Sequence, residues 1–171
     1  WQLRTKSPHD LVVLPFFVCV LCIHGKQQCG EVFSQRLRAV EKRLTEAFEG
    51  KGGVRFLHPD APHELPLRHG DAVAMRSWYL PPGDGCDGVD SIRAVAAASE
   101  EPIRGIFAFS QGCMISMQTA LKKKDQIKCL IGYSGKILNI KHLNQNIKSK
   151  PEIFLMHGDK DQIVPINFLL E

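Results

Sequence analysis

Phe107-Ala108-Phe109-Ser110-Gln111-Gly112 is the stretch on which the reading of this chain turns. It closes an apolar run, Ile103 to Phe109, that reads as a strand, and it opens a helical pattern from Gly112 to Lys124. A serine therefore stands on the tight turn between strand and helix. Such a turn needs small residues two before and two after the serine, so that the backbone can fold sharply. Ala108 and Gly112 fill those places, giving A-x-S-x-G in place of the strict G-x-S-x-G. Cys113 and Ser116 keep the helix start slim, and a helix N-terminus favours developing negative charge. A serine there also suits a plain helix cap, so the motif needs partners.

Working outward, short apolar runs alternate with helical patterns, which predicts a mostly parallel sheet flanked by helices. A first strand ends at Leu21-Cys22-Ile23, and a helix over about Glu31 to Glu49 spaces Phe33, Leu37, Val40, Leu44 and Phe48 along one face. Gly50, Gly52 and Gly53 stop it, and Val54 to Leu57 makes the second strand. A long loop rich in proline and histidine runs from Pro59 to about Gly88; loops of that length in one domain are usually functional. Val89 to Glu100 predicts a helix, Ile127 to Ile131 a fourth strand and Ile153 to Met156 a fifth.

Length and composition limit the alternatives. A chain of 171 residues with 44% apolar and 23% charged residues is one globular domain, not a coiled coil or a disordered tail. The net charge of +4 is mild; Lys122 to Lys124 form its only compact basic run, and Lys136, Lys141, Lys148 and Lys150 are scattered. Nucleic acid is therefore not an expected partner. Cys19 and Cys22 have CxxC spacing, but three residues apart on a strand they face opposite ways and cannot share a ligand. With Cys29, Cys86, Cys113 and Cys129 they read as free thiols of a reducing, cytoplasmic compartment. Leu11 to Ile23 is too short to span a bilayer and Pro15 interrupts it, so a buried strand with an apolar extension is expected, and no transmembrane segment.

Two more stretches carry chemistry. His157-Gly158-Asp159-Lys160-Asp161 follows the fifth strand, where an acid can orient a histidine, although paired aspartates also suit an ordinary turn. His24-Gly25-Lys26 follows the first strand, where a loop can supply a backbone N–H to an oxyanion hole. Together with Gly132-Tyr133-Ser134-Gly135, with Gln162-Ile163-Val164-Pro165 and with Met75-Arg76-Ser77-Trp78-Tyr79, these motifs resemble the phospholipase/carboxylesterase family of α/β-hydrolases, which includes the acyl-protein thioesterases. Pro59-Asp60-Ala61-Pro62-His63 is similar to the related small serine hydrolases of the ovarian-cancer-associated type, and the sequence does not separate the two.

The resemblance implies an α/β-hydrolase fold and hydrolysis of carboxylic esters or thioesters through an acyl-enzyme, as in carboxylesterases and lysophospholipases. Ser110 would be the nucleophile and Asp161 the acid, with Asp159 a turn residue. The N–H groups of Lys26 and Gln111 would form the oxyanion hole. Trp78, Met75 and His63 would line the substrate pocket, although Trp78 could instead anchor the loop on the core. No metal or organic cofactor is implied, and the partner is a small ester or thioester.

The catalytic histidine is the departure from the pattern. The family order is nucleophile, acid, histidine, and the chain ends at Glu171, ten residues after Asp161. The expected organisation is an N-terminal extension over 1–10 and a hydrolase domain over 11–171, with the last strand–helix unit and its histidine beyond residue 171. His157 sits too near Asp161, His24 belongs to the oxyanion loop, His9 and His142 read as surface residues, and His63 is the substitute base among His58, His63 and His69. An apolar sheet edge left open would invite a homodimer. The rival reading is a catalytically inactive descendant that binds an acyl ligand or a partner. A dienelactone-hydrolase-like enzyme would want cysteine at position 110.

Overall fold

The apolar runs at 18–23, 54–57, 103–109, 129–133 and 152–156 pair side by side into one sheet, all in parallel. A computed structural model describes residues 18–67, 70, 73–80, 86–122, 127–136 and 151–166. The expected extension over 1–10, the apolar segment 11–17, most of the scattered lysines, His9, His69, His142 and the last five residues lie outside it, as does the Cys86 side chain. In chain order the elements are β1 (Val18–Ile23), α1 (Gly30–Ala47), β2 (Val54–Leu57), β3 (His63–Glu64) and β4 (Arg76–Ser77). There follow α2 (Cys86–Ala98), β5 (Ile103–Phe109), α3 (Gln111–Lys122), β6 (Cys129–Tyr133) and β7 (Glu152–Met156).

The sheet order is β2-β1-β5-β6-β7. The chain steps outward from β1 to β2, then crosses back to the other flank of β1 and continues to β7. Strand order reverses between β1 and β5, and in such sheets the crevice at the carboxyl ends of the reversing strands is where ligands bind. Those ends are Ile23-His24 and Phe109-Ser110.

Alternation along β1 splits the core in two. Cys19, Leu21 and Ile23 join the main cluster with Ile106, Ala108, Ile115, Met117 and Leu130 under α2 and α3. Val20 and Cys22 face the other way, toward Phe33 and Leu37 of α1. The two cysteines thus lie on opposite faces of the sheet, as strand geometry requires. Every described cysteine thiol is free.

Element ends differ from the sequence reading by a few residues, for local reasons. Helix α1 stops at Ala47, and Gly50, Gly52 and Gly53 behind it all take positive φ, which glycine tolerates. Its N-cap, Cys29, gives no side-chain hydrogen bond; Asp60 from the segment after β2 accepts the Gly30 N–H instead, at 2.7 Å. Helix α2 begins three residues before the expected Val89, and Gly88 on its first turn lies where a Cβ would come within 2.8 Å of the Trp78 carbonyl oxygen. β6 starts at Cys129, two residues after the expected Ile127. The long loop is not structureless: β3 and β4 pair in it as a small antiparallel ladder, His63 opposite Ser77 and Glu64 opposite Arg76.

The two faces are covered unequally. Leu130, from β6, is wholly buried, whereas Phe154 of the edge strand β7 is 55% exposed. Leu130→Ala should lower unfolding free energy by about 2–5 kcal/mol through the cavity it leaves, and Phe154→Ala by no more than about 0.5 kcal/mol. Urea unfolding of the two variants checks the contrast.

Candidate active site

Ser110 stands on the turn between β5 and α3 with φ of 51°, in the left-handed region that a non-glycine residue enters only under constraint. Its N–H donates to the Tyr133 carbonyl at 2.8 Å, and its own carbonyl accepts the Met114 N–H at 3.2 Å. The turn is held from three sides by close backbone approaches. A Cβ on Gly112 would lie 2.5 Å from the Ile23 carbonyl oxygen and nearer still to that of His24. A Cβ on Gly25 would meet the Phe109 ring at 2.8 Å and the Ser110 Cβ at 3.2 Å. A Cβ on Gly135 would meet Cys113 Cβ at 2.5 Å, and one on Gly132 would strike the Cys113 sulfur. The glycines of the Gly132-Tyr133-Ser134-Gly135 motif thus make room for Cys113, whose thiol burial pushes up to about 12. Ala108, at the first small position of the A-x-S-x-G pattern, is wholly buried in β5.

The turn after β1 is organised by one side chain and by backbone bonds to Arg76. Gln28 Oε1 accepts the Gly25 N–H at 3.0 Å, and the Gln27 N–H, with φ of 61° at Gln27, donates to the Arg76 carbonyl at 2.9 Å. The Lys26 N–H lies between these two committed donors, and its side chain is exposed. Arg76 ties the same turn to the loop: its N–H donates to the Gln28 carbonyl at 2.9 Å and its guanidinium to the Ala61 carbonyl at 3.1 Å. The guanidinium also faces Asp60 at 3.6 Å and Glu64 at 3.3 Å.

His24 is wholly buried. The Ala61 N–H donates to its Nε2 at 3.2 Å, which leaves Nδ1 as the protonated nitrogen, donating to the Gly25 carbonyl at 2.7 Å. Burial holds its pKa below the usual histidine value, so the ring is neutral and structural.

Trp78, expected in the pocket wall, has no exposed surface. Its indole N–H donates to the His24 carbonyl at 2.7 Å and its ring packs on His24 at 5.0 Å between centroids. Its place is that of the loop anchor, because a ring sealed on every side fastens a loop to the core. Met75 and His63 are half-buried beside it in the ladder; the Met75 carbonyl accepts the Leu65 N–H at 2.8 Å.

The sequence reading missed the side chain of Gln111. Its Oε1 accepts from the Trp78 N–H at 2.8 Å and the Ser77 hydroxyl at 3.1 Å, and its Nε2 donates to the Tyr79 carbonyl at 3.0 Å. It clamps the loop onto the start of α3. Its own N–H is one of the first-turn donors that a helix leaves without an intrahelical partner.

Asp161 lies on the turn after β7. Its Oδ1 accepts the Ile163 and Val164 N–H groups at 2.9 and 3.0 Å, and Oδ2 is 3.7 Å from His157 Nε2. The Val164 N–H is the main cause of a carboxyl held below its usual range, with the Ile163 N–H, the Ser134 hydroxyl and His157 adding to it. Ser134, at φ of 50°, ties β6 to β7 through its N–H to the Met156 carbonyl at 3.0 Å. His157 donates from Nε2 to the Val164 carbonyl, so its ring closes the turn that presents Asp161. Asp159 is exposed on the same turn.

Two outcomes test this geometry. Gly112→Ala should lose about 1–3 kcal/mol of stability, because backbone carbonyls cannot give way as a side chain would; a denaturant midpoint unchanged from the parent would refute the close approach. The unfolded chain takes up a proton at His24 near pH 6.5 and the folded site resists it. The stability tied to His24 is therefore complete above that pH and declines as pH falls below it, until the folded pKa is reached. His24→Phe should flatten that part of the profile when urea midpoints are compared at about pH 7.5 and about pH 5.5.

Comparison with known proteins agrees with this geometry. A family described as serine hydrolase (FSH1) matches residues 18–169. Esterase CG5412 of Drosophila melanogaster is 27% identical over 173 aligned positions, covering 86% of this chain and 59% of the fly protein. An esterase of Caenorhabditis elegans is 30% identical, covering 85% of this chain and 73% of the worm protein. The chain thus spans less than three fifths of the length of the fly esterases it matches, 57% and 59%. Among solved structures, esterase PE8 superposes with a TM-score of 0.64 at 23% identity, over 88% of this chain and 73% of that one. SOBER1 of Arabidopsis thaliana gives 0.64 at 17% identity, over 90% and 80%. The five-stranded parallel sheet flanked by helices is an α/β-hydrolase fold, and the chain belongs to the serine hydrolase (FSH1) family.

Proposed function

We propose that this chain carries the nucleophile, the acid and the oxyanion donors of a hydrolase that cleaves carboxylic esters or thioesters through an acyl-enzyme. The observation that carries the reading is Ser110 itself: half-buried, at φ of 51°, on a strand–turn–helix at the switch point of a parallel sheet. The names of the relatives as esterases support ester hydrolysis.

In this reading Ser110 Oγ attacks the substrate carbonyl carbon and a histidine takes the hydroxyl proton. The Lys26 and Gln111 N–H groups hold the oxyanion of the tetrahedral intermediate, one from the turn after β1 and one from the start of α3. The same histidine returns the proton to the leaving alcohol or thiol, and water repeats the sequence on the acyl-enzyme. Asp161 orients that histidine and stabilises its charged form. The low carboxyl pKa suits this role, because the acid stays ionised at neutral pH. The rings of His24 and His157 are committed to Gly25 and Ala61 and to Val164, which argues against either as the base. The base is assigned to a histidine after Asp161, in the part of the relatives' length that this chain does not span. Met75 and His63 would border the substrate, with Trp78 fixing the loop that carries them.

The free buried thiols suit a reducing compartment such as the cytoplasm. No described helix is long and apolar enough to cross a membrane. Among the described residues β7 is paired on one side only, and its open side is where a second copy would add.

A fluorophosphonate probe tests the reading. A reading frame extended past Glu171 should label, and Ser110→Ala should abolish the labelling. Asp161→Asn should slow it by about 10⁴-fold, as loss of a triad acid does elsewhere. Labelling that survives in Ser110→Ala would refute the assignment, and fast labelling of the 171-residue chain alone would move the base to His63.

A further inference from the structure

On the α1 face of the sheet, away from Ser110, three groups of different chemistry meet. Cys22 points from β1 into that face and is almost wholly buried. Glu41 sits one turn beyond the buried Leu37 of α1, so its carboxylate faces the sheet as well as the solvent. His58 is the first residue after β2, and its ring meets Phe33 edge-on at 6.4 Å. One donor atom from each of the three lies within 4.8 Å of the others. We infer that Cys22, Glu41 and His58 form a binding site for a divalent metal ion of the zinc class.

Three observations support it. First, the close pair of His58 and Glu41 leaves polar atoms without aligned hydrogen bonds. His58 Nε2 and Glu41 Oε1 are 2.7 Å apart, yet Glu41 Oε1 and both His58 nitrogens are buried atoms without a properly aligned hydrogen bond among the described residues. Buried polar atoms of that kind call for a partner, and a cation between them would serve all three ligands. Second, the donor set of thiolate, imidazole and carboxylate is the mixed soft-and-hard set that zinc accepts. Tetrahedral bonds of about 2.0–2.3 Å set donors about 3–4 Å apart, so small rotamer shifts suffice. Third, charge balances. A dication, one thiolate, one carboxylate and one neutral imidazole sum to zero, which a poorly solvated site favours.

Without a cation the Cys22 thiol stays protonated. Burial pushes its pKa up to about 12, with the Glu41 charge adding to the rise. A bound dication inverts that arrangement: the thiol gives up its proton to solvent and the sulfur becomes a ligand. Alternation along β1 sends Cys19 to the opposite face, so no second cysteine of that strand competes. An apolar groove of about 260 Å³ has Cys22 and Glu41 in its wall, together with Leu37 and Phe107. A water would complete the tetrahedron. The site is independent of the reading of Ser110.

Cobalt(II) titration of the chain, followed in the near ultraviolet, tests the inference. One equivalent should raise a thiolate-to-cobalt charge-transfer band together with visible bands of tetrahedral cobalt, and zinc should displace both. Cys22→Ser should remove the charge-transfer band. His58→Gln and Glu41→Gln should weaken zinc at least tenfold in competition with a chromophoric chelator, with circular dichroism confirming that each variant is folded. A band that persists in Cys22→Ser, zinc affinity unchanged in His58→Gln, or no stoichiometric binding by the folded parent chain would each overturn it.

Discussion

The structure depends on one close approach: the start of α3 lies directly on the end of β1, with Gly112 against the carbonyl oxygens of Ile23 and His24. No side chain larger than hydrogen fits there. The approach forces β5 to turn into α3 within a single residue, and that residue, Ser110, absorbs the bend as a positive φ. The strain is tolerated because the flanking backbone is fully engaged, by Tyr133 on one side and Met114 on the other. The same contact puts the unpaired N–H groups of α3 beside the turn that follows β1. Ser110 and the start of α3 are thus set against the turn after β1 by backbone packing at Gly25 and Gly112, with no long side chain needed.

A second layer fixes the loop that borders this site. Trp78 bonds to the His24 carbonyl, the Ala61 N–H bonds to the His24 ring, and Gln111 binds three groups of the 77–79 segment. Arg76 joins the turn at Gln27 and Gln28 to Ala61, Asp60 and Glu64. Each is a polar group bonded across more than ten residues of chain, except where a turn closes on itself. These bonds fasten the described parts of the long connection, 59–67 and 73–80, to the core. Buried networks of this kind fix one arrangement only while every member is satisfied, which makes a neutral, singly protonated His24 a structural requirement.

Much of the fold was legible in the sequence because its strands are short apolar runs, whether mostly buried as in β1 or largely exposed as in β7. Val54–Leu57 and Ile103–Phe109 match their expected limits residue for residue, and the serine turn was readable from small residues at fixed offsets. What resisted reading has a common physical cause. β3 and β4 are two residues each, too short for any periodicity, and long-range bonds through Arg76 and Gln111 fasten them to the core. The resemblance left Trp78 either lining the pocket or anchoring the loop, because nothing local says that its indole reaches a carbonyl 54 positions earlier. Val40 was expected to face inward with Leu37, yet it is 40% exposed, since periodicity predicts a face and not what covers it.

That last difference bears on how the two faces of the sheet divide their work. The α2–α3 face holds the larger cluster, with residues such as Ile106, Ile115 and Leu130 wholly or almost wholly buried, and it supports the serine turn from behind. The α1 face buries only Cys22, Phe33 and Leu37 in its cluster and carries the groove between α1 and the strands. Polar atoms without aligned partners persist there at Glu41 and His58. Asp161 follows the same division. Its turn is organised entirely at the carboxyl ends of β6 and β7, through Ser134, His157 and the amides of Ile163 and Val164. The proposed acid is therefore aligned by the edge of the sheet, and the serine by its centre. The α1 face meets the strand that leads to Ser110, because Phe107 and Phe109 of β5 pack against its cluster.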